Sequence, residues 1–513
     1  MDFVAGHAEN QPDKAALIEP GRTLTFAELV ERRNRLANSL LELGLGKGDR
    51  IISYGANSVE LMVVSNAVSS IQGITVPMNR MLVGEEVAYI LSHSDSKAAF
   101  VDDRYLSVIE QVRDQAPNIE HWITFGDERR DWAHHLEDLV AKGDPDTPAV
   151  EADPESAGGA MMYTSGTTGK PKGALRSSID TGMVFNWLAA FDLMDGEHVH
   201  LVAGPLYHSA PAAFATFATV LGNITVVMPR FEAEEALRLI DEHKVTTTFM
   251  APTLIKRIMD LPQEVKDRYD PTSMKALITG AAPCPQNLKE AANEFFGDAL
   301  FEFYGSTELG INTVLRPEDV ARKPGSCGKV MDGMEMAAFD DDGNRLEPNG
   351  EGELFVRRYK GMFDEYYKNE EATRDAELGG GEWVSVGDVG RIDEDGFVFI
   401  GDRKKDMIIS GGVNIYPAEI EDVLHRLDAV DDAAVFGVPD DEFGERVHAA
   451  ISLHPGAQLT EGDVISFCRE HLAGYKLPRE VSFRDELPRT QTGKLQRFKL
   501  REQGVTAPPT PAG

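Results

Sequence analysis

Between residues 51 and about 305 the chain alternates short apolar runs with helical stretches. Residues 51–54, 224–228, 246–250, 275–279 and 300–303 read as strands, and residues 232–243 and 285–296 read as helices. That alternation predicts an α/β fold with largely parallel sheets. Upstream, Thr25-Phe-Ala-Glu28 reads as a capping box. It opens a helix with Phe26, Leu29, Val30, Leu36, Leu40 and Leu43 on its apolar face, and Gly44 ends it. A chain of 513 residues is too long for one core, so two or three domains are expected.

The pattern changes twice further on. From about residue 325 to 400, turn signals at Asp341-Asp-Gly343, Pro348-Asn-Gly350 and Asp395-Gly396 separate short strands, which predicts a β-rich part. Beyond Asp402, Pro417 opens a helix predicted to run to Leu427. Strands near 433–438 and 447–453 and a helix near 461–471 complete a small α+β unit. The expected organisation is an N-terminal domain over 1–401, of two α/β subdomains plus the β-rich part, then a C-terminal domain over 405–505. The tail 506–513, rich in proline, is expected to be disordered.

Composition narrows the function classes. Net charge is −34, so nucleic acid is a poor partner and any phosphate site must be a local basic island. No apolar run approaches the ~18 residues of a membrane span. The N-terminus lacks the basic and apolar regions of a signal peptide. Cys284, Cys327 and Cys468 are few and scattered, which favours a reducing cytoplasm.

The basic island is Tyr163-Thr-Ser-Gly-Thr-Thr-Gly-Lys-Pro-Lys-Gly173, with Arg176 close behind. Gly166, Gly169 and Gly173 let backbone amides approach an anion. The hydroxyls of Thr164, Ser165, Thr167 and Thr168 add donors, and Lys170 and Lys172 add charge. Such a loop holds a polyphosphate. It is not a Walker A loop, because Tyr163 stands at the first glycine position and Pro171 follows the lysine.

Other constellations stand at the ends of predicted strands. Gly280-Ala281-Ala282-Pro283 is a small-residue turn between strand and helix, where open α/β sheets bind ligands, although taken alone tight packing at an ordinary turn is the plainer reading. In Tyr304-Gly305-Ser306-Thr307-Glu308, the tyrosine can stack on a base, the hydroxyls can donate to phosphate, and Glu308 can hold Mg²⁺. Asp388 can accept from ribose hydroxyls, and Arg403 offers a donor fork. His208 could orient a carboxylate or be a satisfied core histidine. Lys494, in Pro488-Arg-Thr-Gln-Thr-Gly-Lys494, can stand at a loop tip, although a solvated surface lysine is the plainer reading.

As an ordered set, these motifs together with Asp402-Arg-Lys-Lys-Asp406 and Gly411-Gly412 resemble the adenylate-forming superfamily of acyl-CoA synthetases, peptide-synthetase adenylation domains and luciferases. The likeness runs from about residue 10 to 500 and is strongest to fatty-acyl-CoA ligases. It implies a two-step reaction with ATP, Mg²⁺ and coenzyme A. A carboxylate, expected to be a medium- or long-chain fatty acid, first forms acyl-AMP, and the CoA thiol then displaces AMP. By this resemblance Lys494 bridges carboxylate and α-phosphate, Thr307 touches the α-phosphate, and residues 164–172 cradle pyrophosphate. Tyr304 and Gly280–Pro283 flank adenine, while Asp388 and Arg403 hold ribose. A hinge at residues 402–404, beginning with Asp402, lets the C-terminal domain rotate, bringing Gly411 and Gly412 to the pantetheine.

Two motifs depart from the commoner family pattern: Pro-Leu-Tyr-His-Ser-Ala-Pro around His208, and Trp-Val-Ser-Val-Gly-Asp ending at Asp388. The small apolar stretch 210–218 leaves room for an aliphatic chain. An aryl or other organic acid is the alternative substrate. A stand-alone domain loading an amino acid onto a carrier protein is disfavoured, since no acid between Gly204 and Ile224 can pair an α-ammonium. The partners expected are therefore small molecules, with a homodimer left open.

Overall fold

The computed structural model describes residues 2–150, 159–164, 171–194, 197–403, 406–410, 413–440, 443–472, 474–489 and 495–504. A large N-terminal domain carries two mainly parallel sheets and a smaller antiparallel one, and a small C-terminal domain follows.

The predicted strands of residues 224–303 stand side by side. Leu300–Glu302, Ala276–Thr279, Thr247–Phe249, Val199–Val202 and Ile224–Val227 run parallel in one seven-stranded sheet. Ala276–Thr279 is buried along its whole length, as a strand covered by helices on both faces must be. Three of its strands were not anticipated from sequence: Val199–Val202, which separates Thr247–Phe249 from Ile224–Val227, and Ala15–Glu19 and Arg22–Thr25, which complete its edge. Arg50–Tyr54 lies within an eight-stranded sheet with Ile74–Met78, Ala98–Asp102 and Gly159–Thr164. The helices Phe26–Glu42 and Val59–Ser70 share one core with strands of both sheets. The capping box is formed: the Glu28 amide donates to Thr25 Oγ1 at 3.2 Å and the Thr25 amide donates to Glu28 Oε2 at 2.8 Å. Gly44 adopts φ +82°, the left-handed conformation that stops a helix.

The stretch 325–400 is mostly the antiparallel sheet around Gly352–Arg357 and Asp388–Ile392. One of its strands, Glu365–Tyr366, instead leaves it and pairs with Lys172–Arg176 in the eight-stranded sheet. In the C-terminal domain, Val430–Asp440 and Gly444–Leu453 form a long hairpin, longer than the predicted strands. The helix opens on Pro417 as expected but ends at Leu424 rather than Leu427. Its last amides, Arg426 and Leu427, bond the carbonyls three residues back, the tightening common at helix C-termini. Lys256 reaches Asp431 at 2.8 Å and so ties this domain to the large one.

Candidate active site

Thr307 and Glu308 occupy the tip of a two-stranded hairpin, Gly305–Ser306 against Gly310–Ile311. The hairpin can be this tight only with glycine at its base. A Cβ on Gly305 would lie 2.0 Å from the Gly310 carbonyl oxygen, and Gly310 itself has φ +72°. Gly305→Ala must therefore open the hairpin. It is expected to cost about 1–3 kcal/mol of stability, read from the urea midpoint.

Several elements converge on that tip. Arg176, on the strand leaving the phosphate loop, donates Nη2 to the Thr307 carbonyl at 3.1 Å. The Thr307 hydroxyl lies 3.2 Å from Ser209 Oγ at the start of helix Ser209–Val220. Glu308 is 6% exposed and accepts from the Tyr366 hydroxyl at 2.8 Å. The Tyr366 ring in turn faces Lys172, whose Nζ is 5.0 Å from the ring centroid. Hard oxygen donors of this kind fit Mg²⁺, which takes one or two carboxylates and completes its shell with phosphate oxygens and water. Among the described residues no three His, Cys, Asp or Glu gather into an all-protein cage.

The expected ribose pair are cross-strand neighbours, Asp388 opposite Arg403. Tyr304, expected over the base, donates its hydroxyl to Asp388 Oδ2 at 2.7 Å, which joins the base and ribose positions. In the turn after Ala276–Thr279, Ala281 has φ +68°, unusual for a residue with a side chain. Gly280 packs under Phe303: a Cβ there would stand 3.0 Å from that ring. Ala282 and Pro283 continue the turn but do not line the cavity described next.

A cavity of about 1990 Å³ opens beside these groups, although Gly280, Tyr304 and Asp388 are not among the residues that line it. Thr164, Lys172, Ala281, Thr307, Glu308 and His208 all line it. Its apolar compartment has Trp187, Phe214, Phe217, Phe249, Phe303 and Ile311 as walls. Trp187 is fixed by its indole N–H donating to the Ile311 carbonyl at 3.0 Å. Of the small residues 210–218, Ala210 and Ala213 face this space, whereas Ala215 and Ala218 are buried away from it. Arg489, Gln496 and Lys499 reach the same cavity from the C-terminal domain. Arg489 and Leu495 pair as antiparallel neighbours. Lys494, the loop residues Ser165, Gly166, Thr167, Thr168, Gly169 and Lys170, and Gly411 and Gly412 lie outside the described residues, as does the tail 506–513.

His208 sits against the Tyr207 ring, 4.4 Å between centroids, and its Nε2 is buried without a hydrogen-bond partner among the described residues. Burial lowers its pKa from 6.5 to about 4, so near neutrality it faces the cavity as neutral imidazole. Between those values the unfolded chain binds more protons than the folded one. Stability therefore falls as pH drops from 6.5 towards 4, by about 3 kcal/mol for this one residue. In His208→Gln the urea midpoint should depend less on pH across that window; an unchanged slope would contradict the assignment.

Sequence reasoning did not find Tyr366, Ser209 or the ring-lined compartment. The rings come from elements far apart in the chain, and nothing in the local pattern around Tyr366 marks it.

The chain resembles known proteins over nearly its whole length. The profile of the AMP-binding enzyme family matches residues 4–367, and that of the AMP-binding enzyme C-terminal domain matches residues 419–494. The chain is 34% identical over 505 residues to the long-chain-fatty-acid–CoA ligase FadD13 of Mycobacterium tuberculosis, with 96% of each chain covered. It is 32% identical over 510 residues to the fatty acid–[acyl-carrier-protein] ligase ScoC of Streptomyces coeruleorubidus, covering 97% of this chain and 95% of that one. Among solved structures, the anthranilate CoA ligase AuaEII in complex with anthranoyl-AMP superposes with a TM-score of 0.88 at 27% identity, covering 98% and 97% of the two chains.

Proposed function

This chain belongs to the AMP-binding enzyme family, and we propose that it is an AMP-forming acyl-CoA ligase. The observation that carries the reading is the single cavity in which Lys172, Thr307, Glu308 and His208 meet an apolar, ring-lined compartment. Phosphate, metal and carboxylate chemistry thus border a space fit for an acyl group.

In the first step the carboxylate oxygen attacks the α-phosphorus of ATP, forming acyl-AMP and expelling pyrophosphate. Two anions must meet, so the work of the protein is to supply cations and donors where charge develops. Lys494 bridges the carboxylate and α-phosphate, and the Thr307 hydroxyl donates to the α-phosphate. Thr164, Ser165, Gly166, Thr167, Thr168, Gly169, Lys170 and Lys172 receive the pyrophosphate. Glu308 would hold Mg²⁺, which when bound neutralises phosphate charge. Tyr304 and the turn 280–283 border the adenine, and Asp388 and Arg403 take the ribose hydroxyls. His208, neutral and buried, orients the carboxylate without adding a competing charge. In the second step the CoA thiol attacks the acyl carbonyl, its proton is lost, and AMP leaves. Rotation about residues 402–404 moves the C-terminal domain (residues 405–505) and exchanges Lys494 for Gly411 and Gly412, whose lack of side chains admits the pantetheine arm.

The acyl donor proposed is a medium- or long-chain fatty acid, supported by the apolar walls and by Ala210 and Ala213 opening onto them. The density of aromatic rings favours an aryl acid as the second reading, since rings stack edge-to-face or offset on one another. A panel of carboxylates varied in length and shape, scored for AMP release with and without CoA, tests both. Release that depends on CoA and peaks on fatty acids supports the first; a peak on aryl acids supports the second. No AMP release with any carboxylate overturns the ligase reading.

A further inference from the structure

Tyr366 touches both halves of the phosphate machinery. Its strand pairs with the strand leaving the phosphate loop, with Tyr366 opposite Ala174. Its ring faces Lys172 Nζ at 5.0 Å, and its hydroxyl donates to Glu308 Oε1 at 2.8 Å. The side chain is 8% exposed and is braced by the Phe363 ring, 5.1 Å away. The segment that delivers it also holds the hairpin tip directly. The Phe363 amide donates to the Glu308 carbonyl at 3.1 Å, and the Tyr359 hydroxyl donates to the Leu309 carbonyl at 2.7 Å.

Resting on the reading of this cavity as an ATP site, we propose that Tyr366 is a positioning residue that couples Mg²⁺ at Glu308 to the phosphates held by the Lys172 loop. A phenol donating to one carboxylate oxygen fixes the plane of that carboxylate and keeps its second oxygen for the cation. The face of the same ring attracts the Lys172 ammonium. One stiff side chain with only two main torsions therefore sets the position of the metal ligand and of a phosphate-binding cation together. Whatever orders one orders the other, so metal and nucleotide bind with positive cooperativity, and the coupling is reciprocal. The hydroxyl and the ring have separable parts: the hydroxyl acts on the metal, the ring on the phosphates.

The test is equilibrium dialysis with radiolabelled ATP at graded Mg²⁺, with no carboxylate present, so that binding is read without turnover. Tyr366→Phe removes only the hydroxyl. Its half-saturating Mg²⁺ should rise about tenfold, the scale of one hydrogen bond to a charged group, while ATP affinity at saturating Mg²⁺ stays within about twofold of wild type. Tyr366→Leu removes the ring as well and should weaken ATP binding at every Mg²⁺ level. Tyr367→Phe loses a phenol hydrogen bond in the same segment, to Asp95 and away from the hairpin, and should leave the Mg²⁺ midpoint unchanged. An unshifted midpoint in Tyr366→Phe overturns the proposal. So does an equal shift in Tyr367→Phe, which would mean general loosening, as would a lower urea midpoint in Tyr366→Phe with no change in Mg²⁺ dependence. Wild-type protein that fails to bind ATP at any Mg²⁺ concentration would instead overturn the reading of the site, and this inference with it.

Discussion

Lys494→Ala is expected to lower ATP–pyrophosphate exchange by about 10²–10³-fold, the usual loss when one preorganised donor is removed from developing charge. Thioester formation from supplied acyl-AMP and CoA should stay close to wild type. The asymmetry follows from the chemistry. Only the first step brings a carboxylate onto a phosphate, and only there is an ammonium needed between two anions. Arg489 and Gln496, near Lys494 in the chain, line the same cavity as Thr307 and Glu308. Parallel assays of the two half-reactions on one preparation decide the matter. Equal loss in both would dissolve the division of labour between Lys494 and the Gly411-Gly412 segment. An unchanged exchange rate would remove Lys494 from the site.

What was legible in the sequence follows from how each feature is encoded. The parallel strands could be read because a strand buried on both faces needs a run of apolar residues, and Ala276–Thr279 is such a run. The motif carrying Thr307 and Glu308 could be read because its hydroxyls and carboxylate are contiguous in the chain, but the hairpin that Gly305 and Gly310 permit was not anticipated. Tyr366 could not, since its chemistry comes from partners brought by sheet pairing: Glu308 is 58 positions away along the chain. The apolar compartment was only partly legible for the same reason. The stretch 210–218 is contiguous and carries Phe214 among its alanines, while Trp187, Phe249 and Phe303 reach the space from other parts of the chain. The N-terminal strands were missed because Ala15–Glu19 is short and only half buried; it is completed by pairing with Ile224–Val227.

Lys289→Met should destabilise the fold by about 3–5 kcal/mol, the penalty for leaving one partner of a buried ion pair alone. Lys289, on the helix Gln286–Phe295, stands 2.5 Å from Glu302, and both side chains are no more than 5% exposed. The ammonium also donates to the Ser326 carbonyl at 2.9 Å. Burial opposes the charge on Lys289, but the Glu302 carboxylate outweighs it and raises the lysine pKa, which favours the charged ammonium. Glu302 ends the strand that runs directly into Tyr304–Glu308, so the pair anchors the active hairpin to the helix behind it. Removing the ammonium leaves a buried carboxylate, which burial already pushes upward in pKa. A carboxyl whose folded pKa lies above its unfolded value holds a proton in the native state that the unfolded chain releases. Stability of the variant is then lost as pH rises, and its deficit against wild type should be largest near neutrality and shrink as pH falls towards 4.5. The double variant Lys289→Met with Glu302→Leu removes both charges and should recover most of the loss, since apolar pairs of similar volume replace buried ion pairs at little or no net cost. Urea titrations of the three proteins at pH 7 and pH 5 separate these outcomes. A double variant as unstable as the single one would mean that the hairpin depends on the polar bonds of this pair, such as that to Ser326, rather than on its charge balance.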